Sequence, residues 1–182
     1  IYADQAQKIL WIGTPAGLDR FDPRTGQFTH FQHDDKKADS LSNNNVRGII
    51  ADKDGTLWIT TLGGGLNHFD PQSGTFRHYR NDPDNPFSLS DDAVHPVCQD
   101  RCGALWVGTW SVGVNRVDPQ RKKFRLYHRL NGLSHSTVYS IYPDRKGIVW
   151  IGTWGGGLNR FDPKTGKFGW YQNDPANPYS IS

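Results

Sequence analysis

Methionine is absent from this chain of 182 residues, cysteine occurs only twice, and nowhere do apolar residues run on for the roughly 20 positions that a bilayer-spanning helix needs. Two cysteines cannot build a disulfide lattice, and a chain of this length does not need one, since it can bury roughly two-thirds of its unfolded surface. The start, Ile1-Tyr2-Ala3-Asp4, lacks the basic residues and hydrophobic stretch of an export signal. A chain that opens on Ile1 and has no Met is expected to be a piece of a longer polypeptide. There is also no excess of one charge: 21 Lys and Arg stand against 18 Asp and Glu, spread along the sequence. This excludes a nucleic-acid footprint. The densest basic stretch, Arg121-Lys122-Lys123 with Arg125 and Arg129, reads as a solvated hairpin. The seven histidines show no His-x-x-x-His spacing and the cysteines no Cys-x-x-Cys, so neither a metal nor a cofactor is expected. A Gly-x-Ser-x-Gly elbow is missing, and the runs Gly63-Gly64-Gly65 and Gly155-Gly156-Gly157 join two strands with no helix after them, so they are not phosphate loops. No catalytic residue is assigned.

What the sequence does have is a repeat. Leu10-Trp11-Ile12-Gly13-Thr14 returns as Leu57 to Thr61, Leu105 to Thr109 and Val149 to Thr153, with Trp-to-Trp steps of 47, 48 and 44. After each copy comes Gly17-Leu18-Asp19-Arg20-Phe21-Asp22-Pro23 or its counterpart, beginning at Gly65, Gly113 and Gly157. A third run follows, Phe28 to Phe31 and then Phe76 to Tyr79, Phe124 to Tyr127 and Phe168 to Tyr171; a fourth precedes the Trp run at Val46, Val94 and Val138. These runs are too short for helices and rich in β-branched and aromatic residues, which predicts strands. Between them stand turn formers such as Asp52-Lys53-Asp54-Gly55 and Asp70-Pro71-Gln72-Ser73-Gly74.

Each unit is thus expected to be a four-stranded antiparallel meander. In Leu57-Trp58-Ile59 adjacent residues are apolar, so both faces of that strand must be covered. Meanders stacked face to face around an axis do this, which predicts an all-β fold, a β-propeller of four-stranded antiparallel blades. The units divide as 1–42, 43–90, 91–135 and 136–182. Ile1 aligns with Ile49 and Ser182 with Ser90, so a fragment of a larger propeller is expected. Exposed end blades would favour a homo-oligomer or aggregation.

From Asn44 to Tyr79, and again from Val138 to Tyr171, the chain resembles the two-component regulator propeller repeat, whose pattern runs Asn-x-Val through Leu-Trp-Ile-Gly-Thr and Gly-Gly-Leu-Asn-Arg-Phe-Asp-Pro to Phe-x-x-Tyr. The linkers Asp82 to Ser90 and Asp174 to Ser182 are similar to that family's blade connections. The third unit departs from the pattern at Val112, Val117, Arg121-Lys122-Lys123 and Leu130 to Leu133. The resemblance implies an extracytoplasmic or periplasmic sensor segment of a bacterial signalling receptor, non-enzymatic, joined to the rest of its parent chain and answering to a small-molecule or oligosaccharide ligand. Two alternatives stand beside it: a propeller enzyme like the streptogramin lyases, which use a His with a divalent metal, and a protein-interaction scaffold.

A residue present in every unit serves the blade, whereas a site is used once. Trp11, Trp58, Trp106 and Trp150 are therefore expected in the core between blades, and Asp22, Asp70, Asp118 and Asp162 in turns. What varies is the loop after the Trp strand, Pro15-Ala16, Leu62-Gly63, Trp110-Ser111 and Trp154-Gly155, which should share a face with the connections into the innermost strands. This gathers the candidate ligand-binding residues: Trp110 and Trp154 for stacking, Arg47, His95 and Tyr139 at the mouth of the central channel, and Asn44, Asp92 and His135 beside them. The indoles could instead close the seam between blades. Cys98 and Cys102 flank a turn, where either a disulfide or two free thiols fits.

Overall fold

The computed structural model describes residues 1–118 and 123–181. The side chain of Asp118 and the turn through Pro119, Arg121 and Lys122 lie outside the described residues. Among the described residues, sixteen strands form four separate antiparallel sheets of four. The first sheet holds β1 (Tyr2–Asp4), β2 (Ile9–Thr14), β3 (Gly17–Asp22) and β4 (Gln27–Phe31). The second holds β5 (Val46–Ala51), β6 (Leu57–Thr61), β7 (Gly65–Asp70) and β8 (Thr75–Tyr79). The third is β9 (Val94–Gln99), β10 (Leu105–Thr109), β11 (Val114–Asp118) and β12 (Lys123–Tyr127), and the fourth β13 (Val138–Pro143), β14 (Val149–Thr153), β15 (Gly157–Asp162) and β16 (Lys167–Tyr171). Each is a meander in sequence order, as the turn chemistry dictates.

The period of two then assigns the faces. In β6, Leu57 and Ile59 point back toward the first sheet and join Trp11, Leu18 and Leu41 in one core, while Trp58 points forward to Leu105 and Val107 in the next. A third core joins Trp106, Val114 and Tyr127 to Val149, Ile151 and Phe161. Among the described residues no such core joins the fourth sheet to the first. The consequence is visible at Trp150: its counterparts Trp11, Trp58 and Trp106 are buried, but it is only half-buried, with Leu158, Tyr171 and Tyr142 beside it on the same open face.

Polar groups fix how consecutive sheets meet. The buried Asn67, Asn115 and Asn159 each accept from the backbone of a linker serine, Ser42, Ser90 or Ser134, and donate to its hydroxyl at 2.8 Å. The indole N–H of Trp58, Trp106 and Trp150 donates to Asp52, Asp100 and Asp144, six residues upstream, at 2.8, 3.0 and 3.1 Å. Asp22, Asp70 and Asp162 cap the expected turns by accepting the amide two residues on. The linker of the third unit, where the Asp-Pro pattern is missing, is replaced by a single 3₁₀ turn, Arg129–Asn131. Gly132 ends it at φ 105°, a left-handed backbone that glycine takes without strain.

Candidate ligand-binding face

The loops after β6, β10 and β14 lie against the segments that lead into the innermost strands. Leu62 N–H donates to the Asn45 carbonyl, Trp110 N–H to Ala93 and Trp154 N–H to Thr137. Gly63 and Gly65 reach across to the Asp92 carbonyl of the following unit. One rim of the molecule is thereby built from both kinds of loop.

On the innermost strands of that rim the ladder is interrupted in the same place three times. Val46 pairs with Thr61 and Gly48 with Thr60, which leaves Arg47 without an opposite residue; Tyr139 stands likewise between Val138 and Ser140, and His95 follows Val94 at the corresponding shift. A bulge of this kind bends the strand and re-aims the side chain it carries. Arg47, His95 and Tyr139 therefore occupy one equivalent station on three successive sheets.

Around Tyr139 the aromatic side chains converge. Its ring lies 5.4 Å from that of Trp110 and 5.4 Å from that of Trp154, and the His95 ring is 6.3 Å away. Trp110 is 45% exposed, Tyr139 38% and Trp154 63%. These indoles do not close a seam; the seams are filled by Trp11, Trp58 and Trp106. Large aromatic faces are thus held open in a row, their backbones fixed by hydrogen bonds, a geometry on which a flat or ring-shaped molecule can stack.

His95 is partly buried, and burial, followed by the charge of Arg47, holds its imidazole below the usual range and thus neutral. Its Nδ1 is out of contact with solvent and has no hydrogen-bond partner. Ser111, on the loop beside Trp110, donates a short hydrogen bond to Asp91.

Three of the residues expected in the site also each hold a backbone amide. Asn44 accepts the His33 amide at 2.7 Å, Asp92 accepts the Asn81 amide at 2.7 Å, and His135 accepts the Thr137 amide at 3.1 Å. Each short acceptor near a turn satisfies a backbone donor that the linker would otherwise leave open, which sequence position alone does not reveal.

Two other polar clusters are present. Asp52, Asp54 and His68 bring one ligand atom each within 4.8 Å of one another, but at the β5–β6 turn, on the rim opposite the aromatic row. Their atoms are engaged with Trp58, Gln99 and Thr56. The other is a cavity of about 400 Å³ bordered by His33, Asp34, Lys37, His78 and Arg80. Here His33, His78 and Arg80 hold carbonyls of the first linker. The thiols of Cys98 and Cys102 are not joined; burial, with help from Asp100, pushes Cys98 up to about 12.

Residues 40–63, 88–111 and 132–155 match the family model of the two component regulator propeller. Among solved structures the chain is similar to the extracellular domain of the hybrid two-component system BT3049 from B. thetaiotaomicron, with 29% identity over 92% of this chain and 22% of that one and a TM-score of 0.81. It is similar also to the extracellular domain of BT4673 from the same organism, with 27% identity over 93% of this chain and 24% of that one and a TM-score of 0.79. The chain thus spans less than a quarter of the length of these relatives. Virginiamycin B lyase from Staphylococcus aureus shares the fold, at 15% identity over 96% of this chain and 55% of the lyase and a TM-score of 0.72. No curated protein matches the chain.

Proposed function

The chain carries two-component regulator propeller repeats, and from that premise we propose that it is the ligand-sensing propeller segment of an extracytoplasmic receptor, binding a glycan-derived ligand on the row Trp110, Tyr139 and Trp154. The observation that carries this reading is the exposure of two indoles and a phenol, each 5.4 Å from the next, on a rim whose seams are already filled by other tryptophans. Likeness to extracellular domains of hybrid two-component systems supports the location and the sensory role. The bound ligand would bias how this segment sits against the rest of its parent chain, which makes binding without turnover sufficient for function. The open face at Trp150, Leu158 and Tyr171 has the composition of half a blade seam and would receive another blade, in the parent or in a second copy.

The lyase alternative has less support, since that likeness concerns fold alone and the Asp52, Asp54 and His68 cluster is spent on turn hydrogen bonds. Titration calorimetry of the chain with a panel of plant and animal oligosaccharides, repeated with Trp154→Ala, tests the proposal. Loss of one stacked aromatic should weaken binding by about 1–3 kcal/mol. Binding that is untouched by the substitution, or turnover that a chelator abolishes, would reject it.

A further inference from the structure

We propose that the ligand of this face is an acidic sugar, its ring lying against Tyr139 and Trp154 and its carboxylate or sulfate received by Arg47 beside His95. This rests on the aromatic row being the binding surface, and adds to it the charge of what binds.

The aromatic faces by themselves stack on neutral and acidic rings alike, so the discrimination must come from the polar end of the row. Strands β5, β9 and β13 are the innermost strands of successive sheets, and their bulges set side by side a guanidinium, an imidazole and a phenol. Arg47 is exposed and, among the described residues, takes part in no ion pair or side-chain hydrogen bond. Its charge acts on His95, in the same direction as burial. The acids that precede His95 in the chain already accept hydrogen bonds. Asp91 accepts from the Ala93 amide and the Ser111 hydroxyl, and Asp92 from the Asn81 amide.

Other arginines are tied into the fold, Arg24 to Asp22, Arg116 over Trp106 and Arg80 to the Ser42 carbonyl, whereas Arg47 is the one arginine carried by the innermost strands β1, β5, β9 and β13. A planar fork of donors left free at the end of an aromatic row matches a carboxylate or sulfate, which it can hold with two parallel hydrogen bonds. His95 adds a second donor once an anion is present, because a negative charge nearby favours its protonation.

The test uses pairs of sugars of which one member is charged and the other neutral: trigalacturonic acid against its fully methyl-esterified form, and 6-sulfated against unsulfated N-acetyllactosamine. Each is titrated calorimetrically into the whole chain, Arg47→Gln and Trp154→Ala. At least one acidic member should bind more tightly than its neutral twin and weaken with salt. Arg47→Gln should remove about tenfold of that affinity, the low end for a charge-assisted pair because the guanidinium is exposed, and bring the twins level. Thermal melts identical to the parent confirm that the variant is folded. Equal binding of the twins, no effect of Arg47→Gln, or no binding by any acidic member overturns the inference. If neutral sugars bind and Trp154→Ala abolishes it, the binding surface stands and only the charge assignment falls; if Trp154→Ala changes nothing, the surface itself is wrong.

Discussion

Replacing Asp100 by alanine isolates an interaction that the repeat builds three times and that no pairing of strands supplies. In the native chain one carboxylate oxygen accepts the Trp106 indole N–H at 3.0 Å, and the other accepts the amides of Cys102 and Ala104 at 2.9 Å each. Trp106 is fully buried, between the third and fourth sheets, so its N–H has no water to turn to once the acceptor is gone. A buried donor left unsatisfied costs about 1–3 kcal/mol. The amides of Cys102, at an exposed residue, and Ala104, at a buried one, together add about 1 kcal/mol. The expected loss is therefore about 2–4 kcal/mol in urea unfolding followed by tryptophan fluorescence. Asp100→Asn retains an acceptor and should lose less. An internal comparison sharpens the test: Trp150 is only half-buried, so Asp144→Ala must cost less than Asp100→Ala. Equal losses for the two, or a loss below about 1 kcal/mol at Asp100, would refute the argument that burial of the indole sets the cost.

Three further outcomes are expected. Iodoacetamide should alkylate the exposed Cys102 and spare Cys98, whose thiol is held protonated by burial; mass spectrometry of tryptic peptides reads this directly, and rapid labelling of Cys98 would contradict it. The His68 imidazole is held below its ordinary value chiefly by burial, against the pull of Asp54 and Asp52, and Arg77 pushes the same way as burial. The unfolded chain then binds the proton more readily, so this stability is present above about pH 6.5 and is lost as the pH falls below it, while His68→Gln should flatten that slope in thermal melts. The partly exposed Trp150, Leu158 and Tyr171 should drive concentration-dependent self-association in sedimentation velocity, which Trp150→Glu should reduce; a monomer at all concentrations would count against a seam-like face.

The fold was legible because the information is written four times. Adjacent apolar residues in Leu57-Trp58-Ile59 demand two covered faces, and the structure divides them between two cores as the period of two requires. Legible too were the stations of Trp110 and Trp154, since their loops differ in residues where the blade needs none in particular. Less legible was the use of short polar side chains. Asn44, Asp92 and His135 sit on the expected rim, and each also accepts a nearby backbone amide. Whether such a side chain faces a ligand or its own backbone depends on a turn of the linker, which the pattern does not encode. The bulges at Arg47, His95 and Tyr139 leave no mark in the sequence for the same reason: an extra residue in one strand shows only when its partner's register is known. The pairing of Asp52, Asp100 and Asp144 with the indoles carries a signal in the sequence, a constant spacing of six residues, which turn chemistry alone does not require.

The claim that the aromatic row is the binding face can be tested one indole at a time. The seven tryptophans give separate indole N–H signals in a nitrogen–proton correlation spectrum, assigned by single substitution. On titration with an oligosaccharide that binds, the account predicts that the signals of Trp110 and Trp154 move together and saturate, while those of the buried Trp11, Trp58 and Trp106 stay in place. Movement confined to Trp150 or Trp170, with Trp110 and Trp154 unchanged, would put the ligand elsewhere and contradict it.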